Sequence, residues 1–216
     1  MTTSPPPDTT LLYLVRHGAT EANERKPYIL QGRGVNYGLS ATGQRQAESV
    51  ARFLSEFPIR HVYSSCLLRS IETAQAIARF HQLKVEQIED LAECHVGQWE
   101  GMDWGTIMRE FPEAYEAFIR SPGEAPYLGG ESYGDVLRRV QPVLAGLLEQ
   151  HAGEAIVVVA HNVVNRAYLG HLLGLEPRKA KDLRQANCCV NVIQHRSGET
   201  QVLTLNSHFH VPGALH

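Results

Sequence analysis

The chain is poor in cysteine, in long apolar runs and in surplus charge of either sign. Four of its 216 residues are cysteines: Cys66, Cys94, Cys188 and Cys189. No pair of them has zinc-ligand spacing and two are adjacent, so neither a zinc site nor a disulfide framework is expected from them. This usage suits a reduced, cytoplasmic setting. The longest uninterrupted aliphatic stretch, Ala155 to Ala160, is far shorter than a membrane span, and no membrane association is expected. The opening MTTSPPPDTT has neither the basic start nor the apolar core of a signal peptide. Twenty Lys and Arg stand against 23 Asp and Glu, a formal net charge of -3. A nucleic-acid partner, which needs a broad positive field, is therefore not expected. Any anion site has to be a local cluster of cations.

What is present is an ordinary globular composition, 43% hydrophobic and 20% charged. The length predicts one domain with a substantial apolar core. Residues 1–10 are Pro/Ser/Thr-rich and read as a flexible tail, leaving 11–216 as a single domain. Leu11 to Val15, His61 to Ser64 and Ile156 to Val159 read as buried strands, and Val85 and Ile88 mark a short edge strand. Helical spacing follows Ser40, covers Leu67 to Phe80, follows Ser132 and covers Val163 to Leu173, with Ser40 and Ser132 as caps. Val190 to Ile193 and Val202 to Leu205 alternate as strands about a Ser197-Gly198 turn. Strands alternating with helices predict an α/β fold, a three-layer α/β/α sandwich on a mostly parallel sheet. The segment from about Leu91 to Glu131 breaks the alternation. It carries two short helices within Trp104 to Arg120 and a loop over Ser121 to Glu131, and it reads as an insertion covering the C-terminal strand ends.

Open parallel sheets bind ligands at those ends. Arg16, His17 and Gly18 follow the first strand, Arg69 enters a helix after the second, and His161 and Asn162 follow the third. Two arginines and two histidines thus converge on one sheet edge. Guanidinium groups bind phosphate through paired hydrogen bonds, and helix N-termini offer N–H groups to the same ligand. The cluster predicts a phosphoryl pocket. A neutral imidazole at His17 can attack phosphorus. Arg16, Arg69 and His161 would hold the equatorial oxygens, with no metal and no cofactor required. A carboxylate must protonate the leaving alkoxide. LAECHVGQWEG offers Glu93 and Glu100, of which Glu93 comes first after the strand.

These residues resemble a known family. LLYLVRHGATEAN is similar to the signature of the histidine phosphatase superfamily, in its phosphoglycerate-mutase-like branch. QGRGVNYGLSATGQRQA, SSCLLRSIETAQAIA, LAECHVGQWEG, GGESYGDVLRRV and VVVAHN resemble its further blocks, in family order. The resemblance implies a phosphohistidine on His17, phosphate binding by Arg16, Arg69 and His161, and proton donation by Glu93. It also implies a hydrogen bond from Asn23 to the phosphoryl group. The acid-phosphatase branch continues R-H-G-x-R-x-P, whereas this chain reads R-H-G-A-T-E-A-N. The chain departs from the family at Asn162, where glycine is usual, and at Ala160, where serine or threonine is common. The block of Gln31 and Gly32 is one residue longer, with Asn36 in place of aspartate. These departures make Asn162, Gln31 and Gly32 secondary site candidates that bear on substrate.

The glycolytic mutases of the family carry a longer, basic insertion. Here Arg109 and Arg120 are its bases, which favours hydrolysis of a small phosphorylated metabolite. The alternatives are mutase-like phosphoryl transfer and a phosphate-binding module that does not turn over. His208 and His210 suit one strand face but lack a third metal ligand. Trp99 and Trp104 read as packing in the cover, Cys188 and Cys189 as core, and Arg178 to Arg184 as a solvated helix face. Val190 to Leu205 offers an edge strand through which a homodimer could form.

Overall fold

Alternating burial along one strand sets the layers of this molecule. The computed structural model describes residues 4–121 and 123–211. Met1–Thr3 of the expected tail, Pro122 of the expected loop and residues 212–216 lie outside the described residues. In chain order the elements are β1 (Thr9–Arg16), α1 (Glu21–Glu24), α2 (Ala41–Leu54), β2 (Ile59–Ser64), α3 (Leu68–His81) and β3 (Val85–Gln87). They continue with α4 (Trp104–Glu110), α5 (Pro112–Arg120), α6 (Tyr133–Gln150), β4 (Ala155–Ala160), α7 (Asn162–Leu172), α8 (Pro177–Ala180), β5 (Val190–Arg196) and β6 (Glu199–Ser207). The sheet has six strands in the order β3-β2-β4-β1-β5-β6. β1 to β4 are mutually parallel where they pair. β5 and β6 close one edge as an antiparallel hairpin.

In β1, Leu12 and Leu14 face a core shared with α6, α7 and the insertion. Tyr13 and Val15 face the opposite core, shared with α2 and α3. All six residues of β4 are buried, as a central parallel strand covered on both faces requires. The expected α/β/α sandwich with a mostly parallel sheet is the fold observed.

The helix starts follow side-chain chemistry. Ser40 Oγ accepts the Gly43 N–H at 3.0 Å. Ser132 and Asp135 form a reciprocal capping box at α6. Leu67 cannot cap α3, and Asn36 does so from a distant loop, its Oδ1 accepting the Leu68 N–H at 2.8 Å. The insertion turns through Glu89–Leu91, Gly97–Trp99, α4 and α5. Its centre is Trp99, fully buried and met edge-on by Phe118 and Tyr127.

Three boundaries differ from those read in the sequence. β1 begins at Thr9, so the tail ends earlier than residue 10. Thr9 and Thr10 are buried, and Thr10 Oγ1 donates to the Leu148 carbonyl at 2.7 Å. Threonine is a good strand former, but the prolines beside it mask the onset. The run Arg178 to Arg184 is not one helix face, because α8 ends at Ala180. β6 stops at Ser207, so His208 and His210 share no strand face. His208 Nδ1 bonds the Asn206 carbonyl, and His210 Nε2 bonds the Cys188 carbonyl.

The loop after β1 is pressed onto the first turn of α2. A Cβ added at Gly43 would lie 1.9 Å from the Ala19 carbonyl oxygen, and one at Gly18 would lie 2.6 Å from the Gly43 oxygen. Gly43→Ala would gain about 1 kcal/mol of helix propensity. The clash is with backbone, however, and overpacking of this kind costs about 1–3 kcal/mol. We expect Gly43→Ala to lower the denaturant midpoint and to disturb the His17 loop. Gly146→Ala, in α6 with nothing within 4 Å of the new Cβ, should raise the midpoint, adding about 0.5–1 kcal/mol of stability. Chemical denaturation of the two variants checks both signs.

Candidate active site

The C-terminal ends of β1, β2 and β4 and the N-termini of α3 and α7 meet at one place. β1 delivers Arg16 and, one residue beyond its end, His17. The two lie side by side at the sheet edge because β1 runs between β4 and β5. His17 is 3% exposed. Its Nδ1 lies 2.7 Å from the Gly18 carbonyl. A carbonyl only accepts, so Nδ1 carries the proton and Nε2 keeps a free lone pair. Burial, then the nearby Arg69 and Arg16, hold this imidazole well below its ordinary value. His17 is therefore neutral at neutral pH.

His161 precedes α7 and is fully buried. Its ring centroid is 5.1 Å from that of His17. Its Nε2 lies 2.6 Å from Ser65 Oγ, and its Nδ1 is buried with no protein partner. Burial, then Arg69, His17 and Arg16, push its value well down.

Both arginines are held by carbonyls. Arg69 is fully buried and donates to Val35 O at 3.1 Å and to Gly32 O at 2.9 Å. Burial lowers it to about 10, against the pull of Glu93 and Glu100. Arg16 donates through Nη1 to the Gln185 carbonyl, and burial lowers it too. Neither arginine forms an ion pair among the described residues. The Nε–H of each is buried without a protein acceptor.

A cavity of about 390 Å³ opens over this cluster. Of the residues singled out from the sequence, Arg16, His17, Asn23, Gln31, Glu93 and Asn162 line it. Arg69 and His161 are absent from its wall and lie buried close to His17. Glu93 is 5% exposed. Its carboxylate accepts the N–H of Cys94 at 2.9 Å and that of Val163, in the first turn of α7, at 3.3 Å. Asn23 Oδ1 accepts the Thr20 N–H at 3.1 Å and Asn187 Nδ2 at 3.3 Å, which leaves its own amide N–H groups free. Gln31 joins Thr20 at 2.7 Å. Gly32 is not on the wall. Its N–H goes to Glu100 at 2.6 Å and its carbonyl to Arg69. Glu100, the other acid considered, is thus a loop clamp that also takes the Gly34 N–H at 3.1 Å.

Several residues here carry no flag in the sequence. Arg166 lines the cavity, four residues after Asn162 and so on the same face of α7. That helical spacing is the signal that could have found it. Its Nε donates to Leu183 O at 2.7 Å, it bonds Tyr133, and it forms no ion pair among the described residues. Asn187 donates to the His17 carbonyl at 3.0 Å from the loop before β5, a position with no periodicity to reveal it. Arg139 of α6 donates to the Asp90, Ala92 and Glu93 carbonyls at 2.6, 2.8 and 3.3 Å. It also pairs with Glu131 at 2.8 Å, and Glu131 accepts the His95 N–H. Against the burial that opposes ionisation, Arg139 and the His95 N–H hold Glu131 below its ordinary value. This pair fixes the backbone that carries Glu93.

Comparison with known proteins places the chain in a family. The model of the histidine phosphatase superfamily (branch 1) matches residues 12–208. Phosphoserine phosphatase 1 of Hydrogenobacter thermophilus is 32% identical over 200 residues, 93% of this chain and 93% of that protein. Phosphoglycerate mutase-like protein 4 of Arabidopsis thaliana is 38% identical over 193 residues, 87% of this chain and 80% of that one. The phosphoserine phosphatase of Entamoeba histolytica, solved with 3-phosphoglyceric acid, superposes with a TM-score of 0.83 at 28% identity, over 94% of this chain and 99% of that one. With the catalytic-type pocket inside the matched span, the chain belongs to the histidine phosphatase superfamily, branch 1, and is a phosphatase of that superfamily.

Proposed function

We propose that the enzyme hydrolyses small phosphomonoesters through a phosphohistidine on His17, with its own side chains supplying the positive charge a metal would otherwise bring. The observation that carries this reading is the set of buried polar atoms without protein partners, Arg16 Nε, Arg69 Nε and His161 Nδ1, beside a neutral histidine whose Nε2 is free. Buried donors are nearly always bonded, and a phosphoryl group would satisfy these together.

In the first step His17 Nε2 forms a bond to phosphorus as the ester oxygen leaves. Glu93 gives a proton to that oxygen, and the alcohol departs. Arg16, Arg69, His161 and the Asn23 amide hold the three equatorial oxygens, where charge builds up in the transition state. Ser65 Oγ accepts the Leu67 N–H at 3.3 Å, so its own hydrogen is free for His161 Nε2. The His161 proton then sits on Nδ1, ready to donate. In the second step a water attacks phosphorus, Glu93 takes its proton, the P–N bond breaks and phosphate leaves.

The substrate reading rests on Arg166. A cation on the cavity wall, bridged to Tyr133 and without a carboxylate of its own, suits a second negative group on the substrate. Phosphoserine and 3-phosphoglycerate, which the relatives' names mention, both carry a carboxylate. Mutase-like transfer is disfavoured because Arg109 and Arg120 of the insertion face solvent beside Glu110 and Glu116 and are absent from the cavity wall.

Phosphate release should persist in chelator and vanish in His17→Ala. Glu93→Gln should slow release about 10²–10⁴-fold for alkyl esters and much less for an activated aryl phosphate, whose leaving group needs no proton. An equal loss across leaving groups would remove the acid role. Arg166→Met should raise KM for phosphoserine or 3-phosphoglycerate about tenfold, a change of roughly 1.4 kcal/mol, and leave aryl phosphate nearly unchanged. A parallel rise for both would assign Arg166 to scaffolding.

Stability should also depend on pH with a definite sign. His17 and His161 have folded values below the unfolded value of about 6.5. The unfolded chain therefore binds more protons below that pH, and stability falls as pH drops, by up to about 1.4 kcal/mol per pH unit for each imidazole. Urea midpoints at pH 7.5, 6.5 and 5.5 check this, and His17→Asn should flatten the slope.

A further inference from the structure

The opposite end of the sheet carries a second cluster of titratable groups that the phosphoryl pocket does not use. His61 lies near the start of β2, His151 ends α6, and Glu154 immediately precedes β4. One ligand atom from each lies within 4.8 Å of the other two. Glu154 Oε2 is 2.7 Å from His151 Nδ1 and 3.3 Å from His61 Nε2. The two imidazole centroids are 4.3 Å apart. We propose that His61, His151 and Glu154 bind a divalent transition-metal cation of the zinc type, at the amino ends of β2 and β4 and remote from the reaction.

Three features of the cluster fit a metal better than a bare hydrogen-bond network. The donors are two imidazoles and one carboxylate, a set suited to zinc, with a fourth position for water. Ligand atoms about 2.0–2.1 Å from a tetrahedral ion lie about 3.3 Å from one another. Here Glu154 Oε2 stands 3.3 Å from His61 Nε2 and 2.7 Å from His151 Nδ1, and all three atoms lie within 4.8 Å of one another, so small side-chain shifts would admit an ion. Moreover, His151 has an outer hydrogen-bond partner on its other nitrogen, as metal-bound imidazoles usually do, and His61 has a carboxylate near its own. His61 Nδ1 faces Glu86 of β3 at 3.9 Å, and His151 Nε2 meets the Tyr63 hydroxyl at 2.9 Å. The Tyr63 hydroxyl can donate or accept, so it can partner either tautomer of His151.

Access is also suitable. The His61 and Glu154 side chains are each 36% exposed, whereas that of His151 is 4% exposed. The ion would enter from solvent, and its third ligand is already fixed by packing. The site lies roughly 13 Å along β2 from Ser65, at about 3.3 Å per residue. A bound ion would tie the start of β2 to the turn between α6 and β4 without touching His17.

Calorimetric titration of the chelator-stripped full chain with zinc chloride tests the proposal. One equivalent should bind saturably, and Glu154→Gln and His61→Gln should each weaken binding at least about tenfold. His17→Ala, which removes a pocket imidazole, should leave zinc affinity unchanged. Zinc should raise the thermal midpoint of the wild type but not that of Glu154→Gln. Phosphate release by metal-free Glu154→Gln and His61→Gln shows that these two are folded, and a cooperative thermal transition shows it for His17→Ala. No saturable binding would overturn the site, as would binding that survives both substitutions or is lost in His17→Ala.

Discussion

Two guanidinium groups stand at the end of an apolar sheet with no carboxylate bonded to either among the described residues, and much of the surrounding chain is arranged to make that tolerable. An uncompensated buried charge costs several kcal/mol. Here carbonyl dipoles meet it. Gly32 and Val35 turn their oxygens to Arg69, and Gln185 turns its own to Arg16. The loops that carry those carbonyls are themselves tied down. Glu100 takes the N–H of Gly32 and Gly34, and the Gln185 side chain bonds Asn191 and Asn165. Loops that look irregular in the backbone are thus specified by the charge they enclose.

The same constraint explains the tight seams around the site. A loop that must bring His17 beside two arginines cannot also stand off from α2, and so Gly18 and Gly43 meet backbone to backbone. On the other side, Glu93 lines the same cavity as His17 from a segment without a strand. Arg139 supplies the order that a strand would have given, by gathering the carbonyls of Asp90, Ala92 and Glu93 onto one guanidinium. It acts as a positioning residue, since its donors go to the protein and none is left for the cavity wall.

Much of the fold and the heart of the site were legible in the sequence, for one reason. Residues that follow buried strands land at one sheet edge, so Arg16, His17, Arg69 and His161 could be brought together from local pattern alone. Glu93 was separable from Glu100 only through the family resemblance, because both follow the same strand. What was not legible depends on contacts far apart in the chain. Asn36 caps a helix about thirty residues away, Asn187 holds His17 across |i−j| = 170, and His61 meets Glu154 only because β2 and β4 are neighbours. Arg166 was hidden differently. Its helical register with Asn162 was readable, but a lone arginine on a helix reads as solvated until the cavity is known. Thr9 and Thr10 were lost to the prolines that precede them.

The free pocket and the occupied one cannot have the same protonation logic. In the free enzyme the arginines and burial act in the same direction on both imidazoles, disfavouring a further positive charge. A phosphoryl group reverses that field, because it brings up to two negative charges within hydrogen-bond reach of the same donors. On the proposed reaction path His17 attacks as a neutral base, which the free-state field supplies. Once a P–N bond formed, His17 would have spent its lone pair on phosphorus, and the phosphoryl oxygens would shield it from Arg16 and Arg69. In that reading the field that keeps His17 neutral would also stabilise the transferred group, and removing either arginine would weaken both effects at once.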